Sequence, residues 1–242
     1  MTSLLWSPAQ DAPAEAGLMA RAFGSRGEDL AVDLAVPLQV AITRLLSTCI
    51  EGVGAGEAEC WSFAKRRQGL LAIAVATHGP MREVTVTCPD PECGARLDLA
   101  LDLRDFVQDW RRDRVQLPGG AVLRLPGLAD LSGPEDHLLE RLLEGDPPKG
   151  DWQGEAEEAL AEADPLGDMI LEARCPECGG PVSHAHAFEP GLVAELAGEA
   201  QALMDEIHVL AMAYHWSETE ILALPTARRR HYLERIREAW AA

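Results

Sequence analysis

Basic residues are scarce in this chain: Lys and Arg total 21 against 40 Asp and Glu in 242 residues, a formal net charge of −19. Sequence-independent binding to DNA, RNA or anionic lipid needs a surplus of cations, so this deficit argues against all three. Aromatic residues make up only 5% of the chain, and Ala and Leu lead the apolar set, which favours a helix-rich core over an all-β sandwich. No run of about 18 apolar residues occurs, so a helical membrane span is not expected. Met1 to Arg21 has neither the basic flank nor the sustained apolar stretch of a secretory leader. A cytoplasmic setting is expected. A nucleophile elbow, a Walker A loop and a His-Glu-x-x-His helix are also missing, and with them the usual signs of an enzyme.

Six cysteines are present, and four fall into two tight pairs, Cys88-Pro-Asp-Pro-Glu-Cys93-Gly and Cys175-Pro-Glu-Cys178-Gly-Gly-Pro. Each pair has Pro inside the turn and Gly directly after it. Such a turn points two sulfurs the same way and lets backbone N–H groups approach them. Two knuckles together supply Cys88, Cys93, Cys175 and Cys178 as a tetrahedral Cys₄ site, the donor set that suits one structural Zn²⁺. Local disulfides or inert thiols are the competing readings, the former disfavoured in a reducing compartment. Four thiolates leave no open position for a substrate. His184 and His186 follow the second knuckle on one strand face and read as neighbours of the site, not ligands. Cys49 and Cys60 read as small buried apolar residues.

The flanks of both knuckles alternate. Val84 and Val86 precede the first; Leu97, Leu99, Leu101 and Leu103 follow it, with polar or small residues between. Met169–Arg174 and Pro181–Phe188 bracket the second. Period two on both sides of a tight turn predicts a β-hairpin each time. Eighty-one residues lie between Cys93 and Cys175, whereas a compact zinc ribbon has roughly 15–20. The ribbon is therefore expected to be split, with an insertion hung between its halves.

Elsewhere helical spacing predicts one helix over 37–50 and another over 57–77, with Gly52–Gly56 as a joint. Phe106–Arg112 suggests one or two helical turns. Val115–Leu125 reads as a hairpin across Pro-Gly-Gly, and Ser132-Gly-Pro-Glu135 as a capping box opening a helix through Leu138, Leu139, Leu142 and Leu143. A linker follows over 145–150. Leu192, Val193, Leu196, Ala200, Leu203, Met204, Ile207, Leu210, Ala211 and Tyr214 form one apolar stripe, expected to be mostly core. Ser217-Glu-Thr-Glu220 is a second capping box, and Thr226 opens a last helix. These signals divide the chain into a loosely ordered arm (1–27), N-terminal helices (28–80), a split zinc ribbon (81–189) carrying an inserted hairpin and helix (104–165), and a C-terminal helical region (190–242). The expected class is α+β, mainly helical, with two β-hairpin knuckles.

The order of Val122–Leu131, the Leu-rich helix, the second knuckle and Tyr214–Leu233 resembles small baseplate and hub proteins of T4-type contractile phage tails and phage-tail-like contractile injection systems. The resemblance covers about residues 35–238 and is most specific from Trp216-Ser217 to Tyr232-Leu233. It implies a structural or assembly role among baseplate or hub partners, in the cytoplasm or within an assembled particle; the zinc reading rests on the chain's own cysteine spacing. A zinc-ribbon adaptor in transcription or another assembly is the alternative, weakened by Asp90, Glu92 and Glu177 around the knuckles, where nucleic acid would favour cations. Trp216, Arg228, Arg229, Tyr232 and Trp240 combine residue types that dominate interface hot spots and are the candidate partner-binding set. Arginines at 228–230 oppose the helix dipole; they either pair within this acidic chain or meet an acidic partner.

Overall fold

The computed structural model describes residues 4–6, 18–107, 112–134, 137–148 and 150–241. The fold is mixed helix and sheet, as the α+β expectation has it. Among the described residues no helix is long and apolar enough to cross a membrane.

Helix α1 (Leu38–Cys49) buries Ile42, Leu45, Leu46 and Cys49. The expected helix over 57–77 is two: α2 (Ala55–Cys60) stops where the Trp61 N–H bonds to the Ala58 carbonyl, and α3 (Phe63–His78) restarts. Ser62 is the reason, because its hydroxyl accepts the Lys65 N–H and caps the new helix. From Gly69 to Val75 every residue of α3 is buried, the pattern of a helix covered on all sides. A Cβ on Gly69 would lie 2.5 Å from Leu46 Cδ2, so glycine sets how closely α1 and α3 approach. Arg66, also on α3, is fully buried, and among the described residues its hydrogen-bond partners are carbonyl, amide and hydroxyl oxygens and not carboxylates. Its guanidinium donates to the carbonyls of Ala58 and Gln39 at 2.6 and 2.7 Å, to Thr43 Oγ1 at 3.0 Å and to Gln39 Oε1 at 3.2 Å.

Part of the segment expected to be a loosely ordered arm has defined structure. Strand β1 (Leu4–Trp6) pairs antiparallel with β2 (Leu18–Ala20), and Ala20 and Phe23 are buried in the main core. Asp29, fully buried, receives Arg21 and the N–H groups of Ser25 and Arg26. The rest of the arm, at 1–3 and 7–17, lies outside the described residues.

Hairpins β3 (Met81–Thr87) with β4 (Arg96–Asp102), and β8 (Ile170–Arg174) with β9 (Pro181–Ala185), lie where alternation put them. Between them β5 (Arg114–Gln116), β6 (Val122–Arg124) and β7 (Leu143–Glu144) make a small antiparallel sheet. With α4 (Leu138–Leu142) and α5 (Trp152–Ala163) it forms a separate core around Leu123, Leu142, Trp152 and Ala156. The Leu-rich helix is shorter than expected, since Leu143 belongs to β7. Glu135 of the expected capping box, most of the turns expected over 106–112, and Lys149 of the linker lie outside the described residues. Leu103–Phe106 forms a 3₁₀ turn.

Helix α6 (Phe188–Tyr214) is 27 residues long, and its stripe is covered in two places. Phe188, Leu192, Val193 and Leu196 join the main core. Leu210 instead packs with Ile221 of α7 (Glu218–Ala223) and Leu233 and Ile236 of α8 (Thr226–Ala241). Met204, expected in the stripe, is 52% exposed. The Ser217–Glu220 capping box forms as read.

Candidate metal centre

The two long hairpins end in the cysteine knuckles. The last pairs before the turns are Thr87 with Arg96 and Arg174 with Pro181. Beyond them the Cys88 N–H bonds to the Ala95 carbonyl at 2.8 Å and the Cys175 N–H to the Gly180 carbonyl at 2.9 Å. Gly94 and Gly179, each following the second cysteine of its pair, have φ of +55° and +72°. Glycine takes that left-handed turn at little cost, which accounts for the Cys-Gly step in both motifs.

All four sulfurs, of Cys88, Cys93, Cys175 and Cys178, lie within 4.8 Å of one another. The nearest contacts run between knuckles: Cys88 to Cys178 and Cys93 to Cys175, each at 3.7 Å. A disulfide would need about 2.05 Å, so the thiols are clustered but unbonded. Val86, Leu97 and Val182 form the floor beneath them. Cys88 and Cys175 are buried, Cys93 is half-buried and Cys178 is exposed.

Backbone donors aim at this cluster. The Cys178 and Glu177 N–H groups, outweighing desolvation, draw Cys175 down to about 7. At Cys88 the Asp90 N–H favours the thiolate, but desolvation and the three neighbouring thiols outweigh it and push the group up to about 12. Cys93 is likewise raised, the Ala95 N–H being overcome by burial and by the thiols of Cys175 and Cys178. The cluster thus favours a thiolate at Cys175 while Cys88 and Cys93 are held protonated, and a cation among the sulfurs reverses that preference for protonation. The arrangement can hold a metal ion through four sulfur ligands.

His184 and His186 stand beside each other, ring centres 6.2 Å apart, and are not members of the cysteine cluster. Burial lowers the His186 pKa. Cys49 is buried, and desolvation raises it to about 12. Cys60, expected to be buried, is exposed at the end of α2.

The candidate partner-binding residues separate into three environments. Trp216 stacks on Tyr214 at 4.7 Å and meets Tyr232 edge-on at 5.0 Å, making a half-buried aromatic cluster. Arg228 is exposed with Nη2 3.5 Å from the Tyr232 hydroxyl, and Trp240 is 66% exposed. Arg229 requires a correction. It is 3% exposed, pairs with Glu206 at 3.2 Å and donates to the Leu224 carbonyl at 3.0 Å. Its i, i+4, i+7 spacing with Leu233 and Ile236 puts it on the inner face of α8, so it joins helices within the chain and presents nothing to a partner.

Arg66 and Arg67 were not singled out by sequence reasoning. Arg67 bridges Asp164 and, at 3.5 Å, Glu189, tying α3 to the ends of α5 and α6. The local sequence carries no signal for either role, because the partners sit on other elements and meet these arginines through tertiary packing.

Comparison with known proteins gave no match: no family model fits the chain, and neither a curated protein nor a solved structure is significantly similar to it.

Proposed function

We propose that this chain is a non-enzymatic structural or assembly protein whose two β-hairpins form a split zinc ribbon stapled by one Zn²⁺ on Cys88, Cys93, Cys175 and Cys178. The convergence of four sulfurs from knuckles so far apart in sequence carries the reading. Tetrahedral zinc with Zn–S of about 2.3 Å has sulfur–sulfur edges of about 3.8 Å, close to the 3.7 Å between the nearest cysteine pairs. The ion would supply a cross-link and no open coordination position. The chain's own residues do the rest: backbone N–H groups orient the sulfurs, and the apolar floor keeps water from beneath them.

The setting proposed is the baseplate or hub of a contractile phage tail or phage-tail-like contractile injection system. Its support is the resemblance over about residues 35–238, most specific from Trp216-Ser217 to Tyr232-Leu233. A protein at such a junction needs rigid positioning of several small elements, which a metal staple across an insertion provides. Purifying contractile particles from a strain carrying the tagged chain tests this setting. Co-purification with sheath and baseplate components, and loss of assembled particles on deletion, are expected; normal particles in the deletion strain would overturn it.

A further inference from the structure

Helix α8 exposes most of its basic charge. It carries five arginines and two glutamates, while the rest of the chain is strongly acidic. Arginines elsewhere, such as Arg21, Arg44, Arg82, Arg114 and Arg124, sit against carboxylates. Among the described residues, no carboxylate forms an ion pair with the exposed Arg228, Arg230, Arg235 or Arg237. The inner stripe of α8, Arg229, Leu233 and Ile236, continues one turn further to Trp240, which the fold leaves 66% exposed. Arg237 lies three residues before that indole and therefore beside it on the helix surface.

The complementary feature lies on a different core. A cleft of about 740 Å³ runs between α3, α4 and α5. Phe63, Leu138, Leu139 and Leu160 supply its apolar lining, and Glu140 and Glu157 contribute negative charge. Arg67, which also lines it, is already paired with Asp164 and Glu189. The volume falls within the roughly 300–1,000 Å³ of sites that enclose a drug-sized group, enough for an indole.

We propose that the exposed end of α8 docks in this cleft on a second copy of the chain, Trp240 entering the apolar channel and Arg230 and Arg237 meeting Glu140 and Glu157. Charge complementarity selects this occupant: α8 presents exposed arginines, and the cleft is apolar with carboxylates at its edge. The contact joins two different surfaces, so it is head to tail, and repetition gives a ring or a filament according to whether the rotation closes. The proposal depends on neither the metal nor the family resemblance.

Sedimentation velocity on the 242-residue protein, purified without chelator, at up to 200 µM in 100 mM NaCl tests it. Concentration-dependent association is expected, dispersing in 1 M NaCl as the ion pairs are screened. A tail variant, Arg237→Ala with Trp240→Ala, and a cleft variant, Glu140→Arg with Glu157→Arg, should each weaken association by about 30-fold or more while circular dichroism and metal content stay unchanged. Mixed together, the two variants should form a one-to-one heterodimer that grows no further, because one retains the cleft and the other the tail. A monomeric wild type overturns the proposal, as does association untouched by either variant. Failure of the mixture to pair points to a symmetric contact and also overturns it. Binding of a 20-base-pair DNA duplex by wild type but not by the tail variant, with the protein itself monomeric, would assign the basic helix to nucleic acid instead.

Discussion

Stripping the proposed zinc from the cysteine site should loosen the protein in a graded pattern. The metal would close a loop of 82 residues between Cys93 and Cys175. Treated as a cross-link, that closure contributes about 4.5 kcal/mol through the unfolded chain's lost entropy. At about 2–4 °C per kcal/mol for a chain of this size, its loss should lower the melting temperature by about 9–18 °C. The effect should be local first. The cluster around the two buried cysteines is small, with Val86, Leu97 and Val182 buried and Val84, Ala95, Leu99 and Ala173 half-buried against it, and an isolated two-stranded hairpin is marginal in water. The hairpin bases differ, because Leu103, Met169 and Leu171 belong to the main core. Hydrogen exchange with and without a chelator should therefore show lost protection at the tips, around Thr87–Arg96 and Arg174–Pro181. Protection should persist at the Leu103 amide, bonded to the Pro80 carbonyl, and throughout α1 and α3. Unchanged tips after verified metal loss would refute the staple. Equal loss in α1 and α3 would refute the division of labour between the cores.

Replacing Arg66 with Met should destabilise the protein by about 3 kcal/mol or more in urea titrations, because several buried acceptors lose their donor together; Arg66→Lys should recover only part, lacking the planar fork. Gly69→Ala should cost about 1–2 kcal/mol net, the overpacking against Leu46 and Ile50 exceeding the roughly 1 kcal/mol that alanine gains in helix propensity. Hydrogen bonding from Arg124, helped by the Gly127 N–H, lowers the Asp130 pKa despite burial. Its contribution is therefore full above the unfolded value, about 3.9, and disappears as pH falls through the lower folded value. The stability gap between wild type and Asp130→Asn should be wide at pH 7 and close in acid; a gap that widens as pH falls contradicts this pairing.

The clustering of the four cysteines and the strands beside them was legible because the relevant rules are local. Pro and Gly punctuate each knuckle, and alternation at Val84, Val86, Leu97 and Leu99 fixes which side chains face inward. The break between α2 and α3 had a local signal too, Ser62 ahead of an apolar helix, but the continuous helical composition masked it. Arg229 shows a different limit. Its spacing with Leu233 and Ile236 was readable, yet a triplet of arginines suggests a solvated face until Glu206 is seen opposite. Arg66 was not legible at all, since Gln39, Thr43 and Ala58 meet it only through the packing of α1 and α2 on α3. Nor did the apolar stripe of α6 reveal that two separate cores divide it, leaving Met204 in water between them.

Zinc K-edge X-ray absorption on protein purified without chelator, with metal content measured on the same sample, tests the central claim most directly. The account predicts one zinc per chain surrounded by four sulfurs at about 2.3 Å. A well-folded chain without metal, or zinc bound through nitrogen or oxygen in place of any of the four cysteine sulfurs, would contradict it.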